Sequence, residues 1–221
     1  TGAGRAASVM QTLRASLSAT FAIASMVMMT GCTQLATTLA TMSGGDWIDA
    51  EFRLTRGPLL ILVDDRDSQM SDTRAISQVH KTLSAKFLEF KVNQNVLPYA
   101  ELQRLQQSDR TYDRLSIRQI GEKLGAEQIV YLRVEKFTLQ SEPGAPLFKG
   151  EFAVRVKVLS TDRKNEVRLW PDDESGKRVS VTTRPISSDG EKTAGDVAKE
   201  LAEKLANEVA KIFYGHRELE T

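Results

Sequence analysis

Leu147-Phe148-Lys149-Gly150-Glu151-Phe152-Ala153-Val154-Arg155-Val156-Lys157-Val158-Leu159 alternates apolar and polar side chains over most of its length. Side chains on a strand repeat their direction every two residues, so Phe148, Phe152, Val154, Val156 and Val158 share one face. Lys149, Glu151, Arg155 and Lys157 share the other, which marks an antiparallel strand with one wet face. Just upstream, residues 127–139 put Val130, Leu132 and Val134 on one face, and Pro143-Gly144 with Pro146 supplies the connection. Downstream, Thr161-Asp162-Arg163-Lys164-Asn165 reads as a turn. Residues 166–170 begin the next strand, Pro171 opens a polar loop to Lys177, and residues 178–183 form a final strand.

The amino-terminal side of this hairpin has a different texture. Leu59-Leu60-Ile61-Leu62-Val63 follows the Gly57-Pro58 turn as an unbroken apolar run, the signature of a strand buried on both faces. It ends at Asp64-Asp65-Arg66-Asp67. Ser71 or Asp72 can then cap a helix whose apolar stripe is Ile76, Val79, Leu83, Phe87 and Phe90. Residues 91–96 read as a short polar strand, and Pro98 opens a brief helix with Tyr99, Leu102 and Leu105 on one face. Ser116 and Gln119 have capping-box spacing, Ile117, Ile120 and Leu124 face inward, and Gly125 is placed to end that helix. Ile48, Ala50, Phe52 and Leu54 alternate as an edge strand or an extended lead-in. Thr193 and Asp196 start the last helix, with Val197, Leu201, Leu205, Val209, Ile212 and Phe213 as its core stripe and Gly215 as its stop. This order predicts an α/β fold of the α+β sandwich kind: a mixed sheet of about four to five strands with helices packed on it, in a single domain.

The first residues belong to something else. Arg5 and Arg14 precede an apolar run of 13 residues, 17–29, which is too short for the roughly 20 residues a membrane helix needs. Met28-Met29-Thr30-Gly31-Cys32 closes it, and Cys32 is the only cysteine of the chain. The stretch resembles the bacterial lipobox, with Met29 where the pattern prefers Leu. That resemblance implies cleavage before Cys32, diacylglycerol on its sulfur and acylation of the new amino terminus. An ordinary cleavage near residues 22–24, or an uncleaved anchor helix, are the competing readings. A lone free thiol in an oxidising compartment would be unusual. Thr33 follows the cysteine where an inner-membrane lipoprotein would carry Asp, so the resemblance implies the outer membrane, facing the periplasm.

The expected organisation is a signal peptide at 1–31, a lipidated flexible tether at 32–46 rich in Thr, Ala, Ser and Gly, one domain at 47–215, and a carboxy-terminal tail at 216–221. Removing residues 1–31 leaves 190 residues, enough for one core without disulfides. The whole chain carries a net charge of +1, and without Arg5 and Arg14 it carries −1, so neither nucleic acid nor an acidic lipid surface is indicated.

Leu124-Gly125-Ala126 followed by Glu127-Gln128-Ile129-Val130-Tyr131-Leu132-Arg133-Val134, with Glu166-Val167-Arg168-Leu169-Trp170 further on, resembles a group of periplasmic lipoproteins. The group comprises the curli-secretion-channel lipoproteins, the lipoprotein activators of penicillin-binding proteins and the amino-terminal domain of the Tol-system propeller protein. The resemblance covers roughly residues 58–170 and the closing helix. It speaks to fold more than to activity. Channel members carry extra membrane-inserting strands, whereas here the connection at 140–147 is too short for a hairpin of strands of about 9–11 residues.

Asp64, Asp65 and Asp67 are the candidate chemistry, because carboxylates at the end of a buried strand are where α/β sheets place active groups. A hydrolase or phosphotransferase would need a matching lysine or carboxylate from a neighbouring strand end, where Asn93, Lys136 and Phe137 stand instead. Asp172, Asp173 and Glu174 form an acidic loop without EF-hand spacing. His80, beside an apolar stripe, and His216, beyond the last helix, lack a cysteine pair to make a zinc site. Trp47 and Trp170 read as core or sheet-edge packing. The resulting expectation is a membrane-anchored, non-enzymatic envelope protein that binds other envelope proteins or copies of itself. It needs no cofactor, metal or small-molecule substrate. The alternatives are an enzyme using Asp64, Asp65 and Asp67, and a subunit of an outer-membrane export pore.

Overall fold

A computed structural model describes residues 46–67, 70, 73–140, 147–162, 167–187 and 193–218. The leader, Cys32, the stretch up to residue 45, the caps Ser71 and Asp72, the Pro143-Gly144-Pro146 turn and residues 163–166 lie outside the described residues. In chain order the elements are β1 (Asp46–Ile48), β2 (Leu59–Asp64), α1 (Thr73–Glu89), α2 (Tyr99–Ser108), α3 (Ile117–Leu124), β3 (Gln128–Gln140) and β4 (Leu147–Ser160). They continue with β5 (Arg168–Trp170), β6 (Lys177–Thr182), β7 (Ile186–Ser187), α4 (Ala194–Lys211) and β8 (His216–Glu218). Residues 49–216 make one compact unit, and β1 and β8 form a separate two-stranded sheet.

The main sheet is mixed, with six strands. β2 runs parallel to β3, and β3 pairs antiparallel with β4 over nearly its whole length. The far edge of β4 is covered in succession by β7, β6 and β5, so the sheet is four strands wide although it has six pieces. Leu59 and Ile61 enter a core with α1 and α4, while Leu60 and Leu62 enter a second core with α2 and α3. That division explains the unbroken apolar run: each alternate residue has a helix layer to meet. β4 has such a layer on one face only, so Phe152, Val154, Val156 and Val158 are buried while Lys149 is exposed and Arg155 and Lys157 half-buried.

The helix signals are realised in detail. Ser116 and Gln119 close a reciprocal capping box, as do Thr193 and Asp196. Each satisfies amide donors that a helix start would leave orphaned. Pro98 is the N-cap of α2. Gly125 ends α3 at φ 73°, where a side chain would be strained although no atom lies within 4 Å of the Cβ position. Gly125→Ala is therefore expected to cost about 1–2 kcal/mol from conformation alone. Its denaturant midpoint should fall, and an unchanged midpoint would show that the turn tolerates an ordinary residue.

Several expectations need correcting. Residues 91–96 form no strand. Lys91 turns the chain at φ 54°, and only Val96 makes a single parallel bridge to Leu59. Buried Asn93 holds this loop, donating from Nδ2 to the carbonyls of Thr55 (2.7 Å) and Gly57 (3.0 Å). Of the two readings for residues 48–54, the extended lead-in holds for residues 49–54, with the amides of Glu51 and Phe52 donating to Ile212 O. α4 stops at Lys211, before Gly215, as Ile212 and Phe213 turn into the core. Trp47 is 62% exposed. Phe90, beyond the end of α1, is 41% exposed. Trp170 is half-buried between Phe52 and Phe213, each with its ring centroid 6.3 Å away.

His80 is buried on α1 with its ring 5.3 Å from Tyr99, Nδ1 3.3 Å from Ser84 Oγ, and Nε2 without a hydrogen-bond partner among the described residues. Burial pushes its pKa down from 6.5 to about 4. The unfolded chain therefore binds a proton between these values that the folded chain refuses, and stability falls as pH drops through that window. At 1.36 kcal/mol per unit, the loss on reaching pH 4 is up to about 3 kcal/mol. His80→Leu should flatten that part of the pH dependence in thermal melts. Identical slopes in both proteins would assign the effect to other groups.

Candidate functional site

The β2–α1 connection is the place where the sheet gathers chemistry. β2 ends with its carboxyl-terminal residues at the mouth of a cleft of ≈ 490 Å³. Its floor is apolar, with Leu62, Met70, Ile76 and Ile120, and its polar rim includes Asp64, Asp65, Arg66, Gln106, Tyr112 and Asp113. That volume lies within the roughly 300–1,000 Å³ usual for small-molecule pockets, and the position is the one parallel sheets favour.

The three acids do not converge on a common point. Asp64 accepts a 2.6 Å hydrogen bond from the Tyr131 hydroxyl and an ion pair from Arg66 Nε at 3.0 Å on the same oxygen, Oδ2. Tyr131 faces Leu62 across the parallel β2–β3 register, so the sheet itself brings its phenol to the strand end. Burial first, and then the Asp64 carboxylate it donates to, push the Tyr131 hydroxyl above its ordinary pKa. Asp65 points back along its own loop, where Oδ2 accepts the Met70 amide at 2.8 Å. Asp67 lies 3.5 Å from Arg133 in a solvent-exposed pair, an interaction worth about 0–1 kcal/mol. Among the described residues, no group of three or more His, Cys, Asp or Glu side chains is arranged to hold a metal ion.

The partners weighed in the sequence fall elsewhere. Asn93 sits at the start of β2, bonded to Thr55 and Gly57, at the opposite end of the strand from the acids. Lys136 pairs with Glu151 at 2.7 Å across the β3–β4 hairpin, and Phe137 packs edge-on against Phe152. Asp172 and Glu174 are exposed, and Asp173 accepts both the Ser175 amide and hydroxyl at 2.8 Å, which lowers its pKa. His216 packs its ring 5.8 Å from Tyr214. Cys32 lies outside the described residues. The sequence reading missed Gln106, near the end of α2, and Tyr112 and Asp113, in the segment after it, which close the cleft. Tyr112 OH accepts from Gln106 Nε2 at 3.2 Å, and burial raises its pKa. Nothing in the local sequence announced a cleft wall.

No family model and no curated protein matches this chain. Solved structures do resemble it. Lipoprotein GNA1162 from Neisseria meningitidis is 12% identical over 70% of this chain and 99% of that one, with a TM-score of 0.41. A PelC dodecamer from Paraburkholderia phytofirmans is 13% identical over 77% and 98%, with a TM-score of 0.35. A minor lipoprotein from Acinetobacter baumannii is 10% identical over 72% and 90%, with a TM-score of 0.31. At that level of similarity, none of them bears on what this chain does.

Among the described residues no helix is long and apolar enough to cross a membrane. The strands flanking residues 141–146 are committed to the body: Val134, Phe137, Phe152 and Val154 are buried in the core that α4 covers.

Proposed function

We propose that this chain is a lipid-anchored protein of the bacterial envelope, attached through Cys32, whose α/β body works as a non-enzymatic binding or assembly module. The observation that carries the anchor is the sole cysteine standing directly after Thr30-Gly31 at the end of a 13-residue apolar run. Thr33 favours the outer membrane, facing the periplasm. Two or more acyl chains give stable attachment, where one gives only marginal binding.

The binding-module half rests on how the acids are used. Asp64 is tied to Tyr131 and Arg66, Asp65 to the Met70 amide, and Asp67 to Arg133. A nucleophile or metal ligand needs an anionic oxygen aimed at a reacting atom. These oxygens are instead spent on local geometry. The pore alternative finds less support, because both long strands of the hairpin are used by the body's own core.

Complementation of a deletion strain separates the readings. Asp65→Asn keeps the shape of the side chain and removes its charge, and Asp113→Asn does the same on the facing wall. Both variants are expected to complement fully, with stability losses of about 1 kcal/mol or less. Loss of function in either variant, with the protein folded and at normal abundance, would replace the binding module with an enzyme working in this cleft.

A further inference from the structure

Leu88 and Phe90, at and just beyond the end of α1, are 60% and 41% exposed; they are two of the four exposed large apolar side chains among the described residues, with Trp47 and Val167, and the two that lie close together in sequence. Phe90 lies flat on Tyr214, with centroids 3.9 Å apart and planes 8° from parallel, and Lys86 Nζ sits 5.3 Å above the Phe90 ring. Two of the neighbouring lysines are paired, Lys86 with Glu89 at 2.8 Å and Lys211 with Glu208 at 2.7 Å, while Lys91, directly after Phe90, is exposed. The corner is thus apolar and aromatic, fringed by mostly paired charges, with a lysine ammonium over a ring. That is the composition of side chains that settle at a membrane–water interface.

The corner is also where the body receives its lead-in. The Glu51 amide donates to Ile212 O at 2.8 Å, and Tyr214 follows two residues after Ile212. Eighteen residues separate Cys32 from Glu51, so at about 3.3–3.6 Å per residue Glu51 is never more than about 65 Å from the acylated end. A short link raises the effective concentration of a weak second contact with the same bilayer. A second copy of the chain is the poorer occupant. Side chains of at most roughly 250 Å² each fall short of the ~800 Å² per partner of a stable protein interface.

We propose that Leu88, Phe90 and Tyr214 form a membrane-docking corner that rests in the headgroup region of the bilayer holding the acyl anchor. This rests on the Cys32 reading above and adds an orientation to it. Because the neighbouring charges are mostly paired, docking is led by the apolar side chains and needs no anionic lipid.

The test uses the full chain, purified from bacterial membranes and reconstituted in phosphatidylcholine vesicles. Leu88→Cys and a control on the wet sheet face, Ser180→Cys, receive an environment-sensitive thiol probe, and spin-labelled phosphatidylcholine is the quencher. The expected result is a blue-shifted, quenched probe at position 88 and an unquenched probe at position 180, unchanged in high salt. Adding Phe90→Ser to Leu88→Cys should weaken the quenching. Equal, unquenched emission at both positions overturns the proposal, and so does crosslinking of position 88 between two copies without quenching. Wild-type protein reports separately on the anchor. An acylated Cys32 takes no probe. If it does take probe, the anchor reading fails, while quenching at position 88 in excess of wild type still decides the corner.

Discussion

Phe152→Ala is expected to remove about 3–5 kcal/mol of stability, the range for truncating a buried aromatic residue. Phe152 is fully buried at the centre of β4, and its ring meets Phe137 at 5.0 Å and 83°. It pairs with Phe137 on β3 and Val181 on β6, so one side chain joins three strands of the sheet and the core under α4. Gly150, two residues earlier on the same face, shows how little slack there is. A Cβ built there would lie 2.4 Å from Leu201 Cδ1 and 3.2 Å from Val197 Cγ1. The surroundings therefore cannot collapse freely into the cavity the alanine leaves, which places the loss at the upper end. Small domains have only about 5–15 kcal/mol in total. Denaturant melts should show the midpoint collapse, with the slope m unchanged. Leu132→Ala, removing a fully buried residue of β3, should cost about 2–5 kcal/mol by the same mechanism. Shifts below about 1 kcal/mol in both variants would mean that the hairpin is peripheral to the core.

The sheet was legible because its two kinds of strand carry two kinds of pattern. Residues 59–63 are apolar without alternation, since helices cover both faces there, and residues 147–159 alternate, since helices cover one. Ends set by local chemistry were legible too, as at Ser116, Gly125 and Thr193. What misled was tertiary override. Residues 91–96 look like a strand, but Asn93 spends its side chain tying the loop to Thr55 and Gly57. Phe90 continues the α1 stripe in sequence, yet the helix ends at Glu89 and its ring swings out onto Tyr214.

The site was half legible. Asp64 and Asp65 were findable because they follow a buried strand. Their roles were not, because Tyr131 lies 67 positions and Met70 five positions away in the chain, and only folding brings them to the carboxylates. Asp113 and Tyr112 carry no periodic signal, and Gln106 is one polar residue among several on α2, so the far wall of the cleft emerges only when the chain is folded.

Cys32→Ser is expected to abolish the acyl attachment of the protein. Serine is nearly isosteric with cysteine, so the leader and the body are left alone, but no thioether to diacylglycerol can form. Without acyl chains the corner at Leu88 and Phe90 is too small to hold the protein by itself, since even one myristoyl chain binds only marginally. The variant should accumulate as an uncut or unacylated form and fail in complementation even though its body folds. Incorporation of radiolabelled palmitate, compared between wild type and Cys32→Ser, tests the attachment directly. Label in the wild-type protein and none in the variant is the expected result, and equal labelling of the two, or an unlabelled wild type, would contradict it.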